Sequence, residues 1–190
     1  MILKRAKKWV RESINYLKES RDYIWLVVAF FFISAIGGFV LYSHLGFLNA
    51  ILKQIAEEAA SYSGAGLIAF IFANNVKSAL MGMLFGIVFG IFPAATTFSN
   101  GIILGYVMRL AWDDSGIANL WRIFPHGIFE LPAIFIALGL GVKLGMFIFA
   151  RNRRKEFAYR FWSSVKAFMF IVVPLLIVAA IIEGLLITFL

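Results

Sequence analysis

Seven residues have side chains that lipid tolerates poorly yet fall inside strongly apolar stretches: Asn74, Asn75, Lys77, Asn100, His126, Glu130 and Glu183. A charged or strongly polar group at membrane depth costs a few kcal/mol, on the order of 2.5–3.5 for Asp or Lys at a helix centre, unless it is paired. Such groups therefore mark either a structural polar cluster or a site for an ion, a proton or a small solute. His126 and Glu130 are four apart, hence on one helical face. Two residues later Pro132 removes a backbone donor and crowds the carbonyl of Ile128, which leaves an acceptor beside the carboxylate. Broken helices next to carboxylates are a common way to build membrane binding sites. Catalysis has little support. His-Glu-x-x-His and Gly-x-Ser-x-Gly are absent, and without cysteine there is no thiol nucleophile or thiolate metal site. A lone His with two carboxylates makes a poor metal set, and His44 falls at the end of a span. We expect no enzyme activity, no catalytic residues, no metal and no cofactor.

The elements that position these groups follow from composition. The chain has 190 residues, 62% hydrophobic and 15% charged, with a net charge of +8 and a mean hydropathy of +0.90. Soluble domains carry about 25% charged residues. The excess of apolar surface needs lipid as its solvent, so the fold class is an all-α polytopic membrane protein forming a single membrane domain over 1–190. Five spans are expected, at about 23–42, 67–92, 94–112, 121–149 and 165–188. The third is short, and Thr96, Thr97, Ser99 and Asn100 weaken its first half, so it reads as a thin or re-entrant element. Amphipathic interfacial helices are expected at 1–20, basic with Trp9 at its edge, and at 46–62, where Phe47, Ile51 and Ile55 oppose Lys53, Glu57 and Glu58. Pro93 should stop the second span and Pro174 should kink the fifth.

Charge sets the orientation. The N-terminal tail and the 151–160 loop hold the basic clusters, and an odd number of spans puts both on one face. The positive-inside rule then makes the N-terminus cytoplasmic and the C-terminus extracytoplasmic, with anionic lipid, rather than nucleic acid, as the partner of the basic residues. With that orientation Asn74, His126, Glu130 and Glu183 share one level in the outer half of the bilayer, as a shared buried polar cluster would. Gly82, Gly86 and Gly90 repeat every four residues and form a close-packing ridge. Its partner is left open among Gly101 and Gly105 of span three, Gly141 and Gly145 of span four, or another subunit, and a homodimer is the favoured assembly. Lys143, near the basic end of span four, is placed to snorkel to the surface.

Asn74-Asn75-Val76-Lys77, the glycines 82 to 90, Ser99-Asn100-Gly101 with Gly105, Pro125-His126-Gly127-Ile128-Phe129-Glu130-Leu131-Pro132-Ala133, and Ala179-Ala180-Ile181-Ile182-Glu183-Gly184 with Thr188 together resemble the stage II sporulation protein M family. The resemblance covers most of the chain from about Leu67 onward. It implies a multi-span membrane protein of bacteria or archaea. The founding member is a membrane anchor and localiser for two partners that remodel peptidoglycan, and is not itself the hydrolase. Relatives in organisms that form no spores mean that the resemblance implies the membrane role rather than sporulation. The implied function is thus a non-enzymatic scaffold or localising subunit, with ion or solute transport as the alternative.

Overall fold

The computed structural model describes residues 2–116 and 124–189, with the side chains of 2–4, 59, 115, 124–129 and 186–189 excepted. Among these residues all regular structure is helical, and short turns join the helices. The helices are α1 (Ile2–Glu19), α2 (Arg21–Val40), α3 (Leu48–Ala60), α4 (Gly64–Leu84), α5 (Ile91–Ser115), α6 (Phe124–Gly145), α7 (Arg153–Ala167) and α8 (Val173–Phe189). A π-helical turn, Phe168–Val172, joins α7 and α8 into one continuous rod. Five segments are long and apolar enough to cross a membrane: Arg21–Val40, Gly64–Ile87, Ile91–Asp114, Glu130–Phe149 and Arg153–Leu185. The beginning expected for span four, at residue 121, lies outside the described residues.

Helix α6 is the axis of the bundle, with α2, α4, α5 and α8 packed around it. Lipid gives apolar helices no hydrophobic reason to associate, so close backbone approach and dense packing must hold them together. Glycine supplies the approach. A Cβ on Gly141 would stand 2.8 Å from the carbonyl oxygen of Gly82, and one on Gly86 would meet the backbone of Gly141. The partner left open for Gly82 and Gly86 is therefore span four. Gly90 does not continue that ridge. It has left the helix with φ 71°, closing the turn that reverses the chain into α5, while its amide abuts Gly145. Gly101 and Gly105 pack against α2, where added Cβ atoms would stand 2.7 Å from the Ser34 Cβ and from the Phe39 amide nitrogen, respectively.

One proline expectation changes for a clear reason. Pro93 does not end span two. It sits in the first turn of α5, where its missing N–H has no helical partner to lose. Pro174 follows the π-turn, whose wider backbone accommodates the carbonyl at position 170 that a proline ring would otherwise strike. Span three is not thin: α5 is one uninterrupted helix of 25 residues. Within it the buried Thr97 Oγ1 donates to the carbonyl of Pro93 at 2.7 Å, which satisfies its hydroxyl inside the helix.

If backbone contact between α4 and α6 organises the bundle, Gly86→Val should destabilise it by roughly 1–3 kcal/mol or more through overpacking. The melting temperature in detergent micelles should fall accordingly. Gly46→Ala, at a position with nothing within 4 Å of an added Cβ, should leave it unchanged.

Candidate functional site

Glu130 and Glu183 come together. Helix α6 runs parallel to α4, because Gly141 and Gly145 meet α4 in the same order as Gly82 and Gly86. Counting back eleven residues on both helices puts Glu130 at the level of Ile71. Helix α8 runs antiparallel, with Gly184 against the Ile68 side chain and Ala180 packed with Leu67 and Ile71. Glu183 therefore lies within about one turn of the same level, about 5 Å. Both carboxyl groups are half-buried, and they are close enough for their charges to act on each other. Asn75 is half-buried on the α4 stripe of Ile71, Ala79 and Gly82, which faces this junction.

The remaining candidates separate from that pair. Asn74 and Lys77 are exposed on the outer face of α4, so they are not part of a buried cluster. A step of one or two residues turns a helical side chain by 100° or 200°, which separates them from the inward-facing Asn75. Asn100 is half-buried on α5. His126 falls in the first turn of α6, and its side chain lies outside the described residues. No group of three or more His, Asp or Glu suited to a metal occurs among the described residues.

A second polar network, absent from the sequence expectations, lies at the basic end of the bundle. Lys143 does not snorkel. It is 6% exposed, donates to Ser20 Oγ at 3.0 Å, stands 3.9 Å over the ring of Tyr16, and lies 3.7 Å from the Glu19 carboxylate. Tyr159 donates to the same carboxylate at 2.9 Å, and Arg160 donates to the Lys143 carbonyl at 2.6 Å. These bonds fasten α1 antiparallel along α7. Glu12 pairs with Lys166 at 2.8 Å, and Trp9 packs against Phe170 with ring centroids 5.6 Å apart. Helix α1 is thus amphipathic, as its sequence suggests, but its inner face of Ser13, Tyr16 and Ser20 is spent on protein. Trp9, Val10 and Ile14 stay exposed. The spacing of Ser13, Tyr16 and Ser20 at i, i+3 and i+7 was the available signal. Burial pushes the Tyr16 hydroxyl up to about 12, so it remains a neutral hydrogen-bond donor. The hydrogen bond from Lys166 holds the Glu12 carboxyl below its ordinary range.

A third cluster ties the far end. Tyr106 donates to Asn49 Oδ1 at 2.8 Å, and Arg109 pairs with Asp113 at 3.1 Å while stacking over the rings of Tyr42 and Phe39.

Comparison with known proteins adds the family context. The family model described as Stage II sporulation protein M matches residues 26–186. An uncharacterized protein of Methanocaldococcus jannaschii is 33% identical over 124 residues, 62% of this chain and 54% of the relative, so the chain spans about half the length of that protein. No solved structure matches significantly.

Two expectations follow from the network that fastens α1 to α7. Glu19→Gln leaves the Lys143 ammonium buried without its counter-charge and should cost roughly 1–2 kcal/mol, below the fully buried range because Glu19 is half exposed. Hydrogen exchange should then accelerate in α1 but not in α5. Because the Glu12 pKa is depressed, its pair with Lys166 stabilises the fold above the ordinary carboxylate range. That contribution should disappear as pH falls through the lowered value, and exchange in α1 should rise with acid in the wild type but not in Glu12→Gln.

Proposed function

This chain belongs to the stage II sporulation protein M family, and from that premise we propose that it acts as a non-enzymatic membrane scaffold that positions partner proteins. The observation that carries the reading is α3. This amphipathic helix is held to the bundle at its first residues, by buried Leu48 and by the bond from Tyr106 to Asn49. Beyond them its apolar and charged faces both stay open, with Ile51 45% and Ile55 50% exposed beside Lys53, Glu57 and Glu58. An amphipathic helix whose middle is left uncovered offers an apolar stripe to a protein groove. In the proposed topology the N-terminus and the 151–160 loop face the cytoplasm and anionic lipid, while α3 and the C-terminus face outward.

One observation favours the alternative, a transporter or channel. Two carboxyl groups held together in a low-dielectric interior form a resting place for a proton or a small cation. The pair of Glu130 and Glu183 meets that description.

The two readings separate experimentally. A photo-reactive residue at position 51 or 55 in native membranes should form discrete protein adducts that Leu48→Asp abolishes. Only lipid adducts at both positions would sink the scaffold. Proton or cation flux in proteoliposomes that Glu130→Gln abolishes, in a protein that still melts cooperatively, would establish transport instead. For topology, the natural absence of cysteine makes single-cysteine variants clean reporters. Cysteines at 5 and 152 should react only from the cytoplasmic side, and one at 54 only from outside.

A further inference from the structure

Helices α4 and α5 are consecutive antiparallel spans, yet they touch little beyond the turn that joins them. Phe85 and Phe92 pack there with ring centroids 5.1 Å apart and close the seam at its basic end. Asn74 and Ser78 share the α4 stripe that leads down to Phe85, being eleven and seven residues before it. Ser99 lies seven residues after Phe92 on the corresponding α5 stripe, with half-buried Thr96 and Asn100 beside it. Polar groups therefore border both sides of this seam. Asn74, Ser78 and Ser99 are exposed, as is Lys77 next to them.

Depth makes this patch costly. Lys77 is thirteen residues from Gly64 and ten from Ile87, about 20 and 15 Å from the two ends of its span. Asn100 is nine residues, about 14 Å, from the start of α5 and so at nearly the same level. The Lys77 ammonium is farther from either surface than a lysine stem reaches, and it has no ion pair or hydrogen bond among the described residues. Acyl chains offer it neither charge nor acceptor. Headgroups do not reach mid-depth.

We propose that the seam between α4 and α5 receives a transmembrane helix of another protein that carries a carboxylate at mid-depth, paired with Lys77. The exposed patch holds one cation and no anion, so its complement is negative. Asn74, Ser78 and Ser99 supply donors and acceptors to the flanks of the incoming helix, and their small size permits close approach. A second copy of this chain is the poorer fit, because symmetry about α4 would set Lys77 against Lys77. This assignment rests on the scaffold reading and gives the partner its chemistry: an acidic membrane anchor, distinct from whatever α3 engages.

The test uses synthetic polyleucine transmembrane peptides that differ only at the central residue, Glu, Gln or Leu, with energy transfer to the labelled full chain in proteoliposomes. The Glu peptide should bind about tenfold or more tightly than the Leu peptide. Lys77→Met should erase that preference and Lys77→Arg should retain it, with melting curves confirming that both fold. Equal binding of the three peptides overturns the proposal. So does self-association of the chain that Lys77→Met abolishes in the absence of Glu-peptide binding, since a second copy then fills the seam. Loss of peptide selectivity with adducts at 51 and 55 intact would remove this partner while leaving the scaffold reading in place.

Discussion

Everything in this bundle depends on how closely α4 and α6 approach. Gly82, Gly86, Gly141 and Gly145 bring the two backbones into contact, and a Cβ at any of them would strike the facing helix. In water a hydrophobic core would tolerate a looser fit, because burial alone rewards association. In lipid the apolar surface is solvated either way, and the gain comes from dispersion over many short contacts. The same device joins α5 to α2 through Gly101 and Gly105, and α2 to α6 where Gly139 meets Ile24. The spans thus assemble around α6 through small residues, with the buried rings of Phe31, Phe135 and Phe168 packed between them, while Trp25, Phe32, Phe89 and Trp162 turn outward.

On this frame polar groups are sorted by direction as much as by depth. At the basic end Lys143, Glu19, Ser20, Tyr159 and Arg160 form a network that fastens the N-terminal helix to the last one. Toward the other end Glu130 of α6 and Glu183 of α8 lie half-buried at one level, close enough for their charges to interact, with half-buried Asn75 on the α4 stripe that faces this junction. On the outside of α4, Asn74 and Lys77 face away from both. The residues that sequence alone groups as a single class of unwelcome side chains are therefore divided between the interior and the outer face, and the network at the basic end lies outside that class.

The spans, the amphipathic character of α1 and α3, and the level of the polar groups were legible because hydropathy and charge act along the chain. What was not legible depends on angle and partner. Asn74 and Asn75 differ by one residue, and only the identity of the faces that touch α6 tells which of them turns inward. The glycine ridge announced a close contact without naming its partner. Span three looked weak because composition counts Thr97 as polar, whereas the helix has already satisfied its hydroxyl. Lys143 misled for a related reason. Snorkelling is the default for a lysine near a span end, and only the arrival of Ser20, Tyr16 and Glu19 from elsewhere in the chain makes burial the better solution. His126 lies outside the described side chains, so its place in the candidate site stays with the sequence argument.

The unbroken run of α7, the π-turn and α8 spans 37 residues, about 55 Å, where a bilayer core is about 30 Å thick. The rod must therefore protrude well beyond the lipid at one end. That end is the one to which α1 is strapped, and the opposite end carries Glu183. Its π-turn and Pro174 lie inside this run, at the features where helices bend. The protruding arm and the segment that carries Glu183 are thus one covalent, hydrogen-bonded element with a natural hinge between them.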